Sequence, residues 1–84
     1  WADTGMYIQT LMLAARGMGL DTCPQAAWIQ FQEPIFRHLG IPDDQVLVTG
    51  MCLGYANDKA IENTLVSDRE DIANVAHFHG FGMP

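Results

Sequence analysis

The amino-acid sequence predicts a mixed fold of helices and strand, on three observations. An apolar periodicity of helical type starts near Asp3 and stops by Gly19. A second, shorter helical pattern occupies residues 33–40, and a near-continuous apolar and β-branched run fills residues 45–55. The order is helix, loop, helix, strand, tail, and no internal repeat, linker or low-complexity segment divides it.

The first helix is expected to open at Asp3 or Thr4, whose side-chain oxygens can accept from the free first-turn amides. It runs to about Gly17. Ile8, Leu11, Met12, Ala15 and Met18 recur at three- and four-residue spacing, with Gln9 and Arg16 off the stripe. Met6, Tyr7, Leu13 and Ala14 widen the apolar surface, and a helix apolar nearly all round is one buried on several sides. Gly17 and Gly19 supply the stop, because glycine accepts positive φ at a helix C-terminus. Residues 20–28 then read as a loop in which Pro24 offers no ladder donor.

Glu33 and Pro34 suit the first turn of the short helix, Ile35, Phe36 and Leu39 share a face, and Gly40 ends it. Ile41, Pro42, Asp43 and Asp44 have the chemistry of a turn. The run from Gln45 to Tyr55 reads as a strand covered on both faces, with Gly50 and Gly54 leaving room for close approach to the backbone. Residues 56–71 are polar and loop-like, and residues 72–81 read as a turn of helix followed by an extended strand.

Of the 84 residues 49% are hydrophobic, including two Trp, four Phe and five Met. A chain this short buries only about 60% of its unfolded surface, so it carries more apolar material than it can hide. The surplus predicts an obligate oligomer or a piece of a larger domain whose apolar faces meet further sequence. Ten acids against four bases give a net charge of −6. That excludes the basic stripe of a nucleic-acid surface and disfavours an anionic membrane. No run of about 18 apolar residues suggests a membrane span, and no signal peptide is expected in the stretch read from Trp1. Cys23 and Cys52, distant in sequence and without a CxxC pattern, leave a disulfide between them open but show no secreted cystine scaffold, and free thiols of a reducing, cytoplasmic compartment are the favoured reading.

Several short pieces stand here in a set order. They are Trp1 with the Asp3/Gly5 helix start; Leu13-Ala14-Ala15 and then Gly17-Met18-Gly19-Leu20; Cys23-Pro24-Gln25-Ala26-Ala27-Trp28; Leu39-Gly40-Ile41-Pro42-Asp43-Asp44; and Gly50-Met51-Cys52-Leu53-Gly54-Tyr55. Asn63, Arg69 and Phe78-His79-Gly80-Phe81 complete the series. Together they resemble the C-terminal portion of the FMN-dependent nitroreductase family, in its nitrobenzoate-reductase-like branch. The likeness covers nearly the whole chain but only the later part of a usual member. It implies that residues 1–84 are the C-terminal part of a single domain lacking its N-terminal part. The implied fold is α+β, with helices packed on a mixed sheet and a C-terminal tail exchanged with a partner subunit.

The resemblance further implies that Pro24, Gln25, Ala26 and Ala27 contact a flavin, with an amide near Ala26 facing the redox-active N5. Small side chains at 26 and 27 let a planar ring reach the backbone, and an amide donor stabilises charge that develops on reduction. By its own residues the same stretch is a tight turn packing Trp28 onto the core. Arg69 falls where the family holds the FMN phosphate, a task suited to a planar guanidinium. On spacing alone it is a solvated arginine beside Asp68, Glu70 and Asp71. Some members carry a lysine two residues earlier, where this chain has Ser67. His77 and His79 have a metal-ligand spacing but lack an evident third ligand, and the resemblance makes them interface residues. Cys23, with no cysteine or base adjoining it in sequence, reads as a buried, inert thiol. The methionines of the first helix read as core or dimer packing.

The implied activity is FMN-dependent, NAD(P)H-driven reduction of a nitroaromatic or quinone by ping-pong hydride transfer. It would occur in a homodimer joined through the Asp3–Gly19 helix and the tail. No catalytic side chain and no metal ligand is expected. The rival readings are a non-catalytic dimerisation module on the same scaffold and a relative with another acceptor, such as a dehalogenase or an enoate reductase.

Overall fold

A computed structural model describes residues 1–82. The first helix, α1 (Ala2–Gly17), starts one residue before the expected cap: Trp1 is the N-cap and no side chain caps the turn. Asp3 therefore lies inside the first turn, where its charge still faces the positive end of the helix dipole. Of the two glycines expected to close α1, Gly19 does so, while Gly17 is the last residue of the helix and lacks a positive φ. Gly19 has φ +80°, its amide bonds Arg16 O at 3.0 Å, and the Leu20 amide reaches back to Ala15 O at 2.9 Å. This pair of bonds is a Schellman motif, which satisfies carbonyls that the helix end would leave free.

The next segment corrects the loop expectation. Asp21–Gln25 is a strand, β1, followed by a 3₁₀ turn over Ala26–Phe31. β1 pairs antiparallel with β2 (Gly50–Gly54), placing Asp21 opposite Gly54, Cys23 opposite Cys52 and Gln25 opposite Gly50. Pro24 survives in the strand because a two-stranded ribbon leaves half its amide positions facing away from the partner. A single proline signals the lost donor but not the side on which the loss falls, which is why the loop reading failed.

The second helix, α2 (Gln32–Leu39), ends at Gly40 with φ +68° and an Ile41-to-Phe36 bond of 2.9 Å, as the sequence foretold. Phe36 is buried and Ile35 half-buried, while Leu39 faces outward. Residues 45–49 run irregularly into β2, so the strand is shorter than the apolar run that announced it. One bond anchors that approach: the Leu47 amide donates to Gln32 Oε1 at 2.7 Å. β2 is not covered on both faces in this chain, since Leu53 and Tyr55 beyond it are exposed. Among the described residues the sheet has these two antiparallel strands, where a mixed sheet was expected. A 3₁₀ turn at Ile61–Thr64 and a one-turn helix, α3 (Ile72–Val75), follow, the latter capped by Asp71 accepting from the Ala73 amide at 3.0 Å. Residues 76–82 form no strand.

The apolar stripe of α1 is half fulfilled. Ala15 is buried, Ile8 and Met12 are half-buried, but Leu11 and Met18 are exposed along with Met6, Tyr7 and Leu13. Ala15 and Phe36 are the buried hydrophobic residues of the described chain. The radius of gyration is 18.1 Å, where a compact chain of this length has about 12 Å. The accessible surface is 7817 Å², against roughly 5,000 Å² for a folded monomer of this mass. The surplus predicted from composition is thus visible as an extended arrangement without a core of its own.

Candidate functional site

The turn after β1 is held by one glutamine. Gln25 Oε1 accepts from Trp28 Nε1 at 2.9 Å and from the Cys52 thiol at 3.3 Å. Three residues of separation let the side chain of position 25 reach over the first turn of the 3₁₀ segment to position 28. The indole in turn lies against β2 at Gly50, where a Cβ would stand 2.8 Å from Trp28 Cγ and 3.0 Å from Nε1. Gly50 is therefore the room the sequence suggested, and its occupant is Trp28. Gly54, singled out with it, has nothing within 4 Å of a Cβ position. Phe31 stacks edge-on to Trp28 at 6.5 Å, continuing the support along the turn.

Ala26 and Ala27 open the 3₁₀ turn, and both are exposed. Their amides precede the first i→i+3 bond, so the turn itself does not use them, and no side chain caps it. Pro24 has no amide hydrogen to offer and Gln25 is half-buried in the ladder. The result is a turn backed by Gln25, Trp28 and Gly50, with two exposed alanines whose amides its own 3₁₀ bonds leave unused.

A second anchor lies at the far end of the ladder. Asp21 Oδ1 accepts from Arg16 Nη1 at 2.7 Å, and its Oδ2 accepts from the Ala56 amide at 3.2 Å. One carboxylate thus joins the end of α1, the start of β1 and the exit from β2. A shallow hollow of about 250 Å³ sits beside it, lined by Asp21, Cys23, Cys52, Gly54, Tyr55 and Asn63 among others. It does not include Pro24, Gln25, Ala26, Ala27 or Arg69.

Arg69 is not brought to the turn by any hydrogen bond. Its Nη1 donates to Ser67 O, Ser67 Oγ and Asp68 O at 3.1, 2.7 and 3.1 Å, all within its own loop. It makes no ion pair with Asp68, Glu70 or Asp71 among the described residues. Asp71 is engaged in capping α3 and Glu70 in accepting from Asn74. The guanidinium is thereby exposed and without a neutralising carboxylate. Ser67, standing where some relatives carry lysine, orients this arginine instead of adding charge.

Cys23 is exposed rather than buried, and it directly faces Cys52, which is also exposed. The antiparallel register brings together two thiols that the sequence keeps apart, so adjacency along the chain was the wrong test. His77 and His79 are both exposed. Sequence reading missed Asp21 as the junction, and it singled out Trp28 and Gly50 separately without pairing them as the backing of the turn. Trp28 at three residues from Gln25 was the available signal for that backing.

The nitroreductase family model matches residues 1–55. The chain is 47% identical over 81 residues to a 4-nitrobenzoate reductase of Pseudomonas putida, covering 96% of this chain and 36% of that protein. It is 43% identical over 75 residues to a chloronitrobenzene nitroreductase of Comamonas testosteroni, covering 88% and 33% respectively. Among solved structures, it superimposes with a TM-score of 0.91 and 36% identity on the FMN and NADPH-dependent nitroreductase NfnB of Sphigopyxis sp. strain HMH, covering 96% of this chain and 36% of that one. The chain spans about a third of the length of the curated relatives it matches.

Proposed function

This chain belongs to the nitroreductase family, and we propose that it forms one wall of the FMN site of an NAD(P)H-dependent nitroreductase. The observation that carries the reading is the turn at Ala26 and Ala27: exposed, small, with free amides, and braced from behind by Gln25, Trp28 and Gly50. Those features fit the edge and face of a planar, electron-accepting ring. Pro24, Gln25, Ala26 and Ala27 would line it, with the amides aimed where negative charge develops. Arg69, exposed and unneutralised, would hold the phosphate by charge-assisted bonds. When bound, FMN would supply hydride acceptance from NAD(P)H and electron delivery to a nitroaromatic or quinone in a ping-pong cycle. The protein's part is positioning: the bracing keeps the two amides from reorienting as charge appears, and no side chain is required as nucleophile or base.

The assembly proposed is a homodimer, formed through α1 and an exchanged tail and acting in the cytoplasm. Supporting it are the outward Met6, Tyr7, Leu11 and Leu13 of α1 and the exposed Phe78–Phe81 edge-to-face pair.

The test is to delete a donor without disturbing the turn. Gln25 is extended (φ −133°, ψ 96°), which is a conformation compatible with a following proline. In the complete protein, Ala26→Pro should weaken FMN binding about tenfold or more, the loss of one hydrogen bond to a charged group. Arg69→Ala should weaken it as well. Unchanged FMN affinity in Ala26→Pro would remove the turn from the site. A complete protein with no visible flavin absorption and no flavin uptake would favour the non-catalytic dimerisation reading.

A further inference from the structure

We propose that Cys23 and Cys52 form a reversible cross-strand disulfide, making the β1–β2 ladder a thiol-redox site. The two residues are direct partners in the antiparallel register, so their side chains leave the same face of the ribbon. Proline decides the type of pair. Pro24 has no amide hydrogen, so the Pro24–Met51 pair is of the non-hydrogen-bonded kind, and the adjacent Cys23–Cys52 pair is hydrogen-bonded. Such pairs hold their Cα atoms about 5.5 Å apart, within the range of a disulfide, and closing the bond draws the Cβ atoms in from about 5 Å to about 4 Å, a strain that keeps the bond easy to reduce. Both thiols are free and exposed, and both line the same hollow beside the ladder.

The oxidant is a small-molecule disulfide such as oxidised glutathione. One cysteine, as thiolate, attacks a sulfur of that disulfide, forming a mixed disulfide and releasing one small thiolate. The second cysteine, losing its proton, attacks the protein sulfur of the mixed disulfide and releases the second small thiol. The protein loses two hydrogens and the small disulfide is reduced to two thiols. The proton that Cys52 donates to Gln25 Oε1 is lost in the process, leaving Trp28 as the remaining donor to that oxygen. Oxidation therefore changes the bracing of the Ala26–Ala27 turn.

The test uses the complete protein, incubated with oxidised glutathione, alkylated and digested with trypsin. Cleavage after Arg16, Arg37 and Lys59 places Cys23 in peptide 17–37 and Cys52 in peptide 38–59. The expected product is these two peptides joined, separable by dithiothreitol, from a protein that remains non-crosslinked between chains. Cys52→Ser, confirmed folded by circular dichroism, should instead accumulate glutathione on Cys23. Both cysteines carrying glutathione separately in the unsubstituted protein, both alkylated, or linkage only between chains would each overturn the proposal.

Discussion

Gly50→Ala tests whether the indole of Trp28 is the true neighbour of β2. The added methyl would stand 2.8 Å from Trp28 Cγ and 3.0 Å from Nε1, and closer still to Cδ1. Carbon atoms rest about 3.5–4.0 Å apart, so the ring must retreat. Retreat stretches the 2.9 Å bond to Gln25 Oε1, worth about 1 kcal/mol net. Overpacking costs about 1–3 kcal/mol, and the lower end applies because Trp28 is 47% exposed and can swing toward solvent. Against this, replacing a strand glycine recovers about 0.5–1 kcal/mol of backbone entropy. The control shares that gain: Gly54→Ala lies on the same strand and the same face, with nothing within 4 Å. The two variants should differ by about 2 kcal/mol, since the entropy term cancels and the steric and hydrogen-bond terms remain. Urea denaturation of the complete protein, followed by tryptophan fluorescence, measures the difference. Two variants within about 0.5 kcal/mol of each other would refute the packing of Trp28 on Gly50.

Two further outcomes follow from the same structure. Gly40→Ala places a Cβ at φ +68° and should cost about 1–2 kcal/mol, whereas Gly5→Ala within α1, with open space around it, should stabilise by about 0.5–1 kcal/mol; equal effects in the same denaturation assay would contradict the Schellman end of α2. The isolated 84 residues expose about 2,800 Å² more than a folded monomer of their mass, from 7817 Å² against roughly 5,000 Å². They should therefore melt without cooperativity or associate, and a sharp calorimetric transition from a monomer in sedimentation would show that they carry a core after all.

Much of the site was readable from the chain because it depends on local backbone chemistry. Gly19 and Gly40 announce helix ends since only glycine takes positive φ cheaply, and both have it. The ordered pieces around Cys23–Trp28 pointed to the family, which the family match and the relatives then showed. The small residues at 26 and 27 marked a turn that a ligand can approach, and the structure leaves both exposed. Gly50 promised close approach, though its occupant came from a segment more than twenty positions away.

What the sequence determined by itself were properties of single residues and their near neighbours: where helices stop, which stretch is too apolar to stand alone, and which turn is small. Strand pairing was decided only in three dimensions, because a ladder register is a relation between segments that share no sequence proximity. That register turned a supposed loop into β1 and set Asp21 to accept from both Arg16 and Ala56. It also put Cys23 opposite Cys52, so a thiol that looked isolated along the chain has a partner across the sheet.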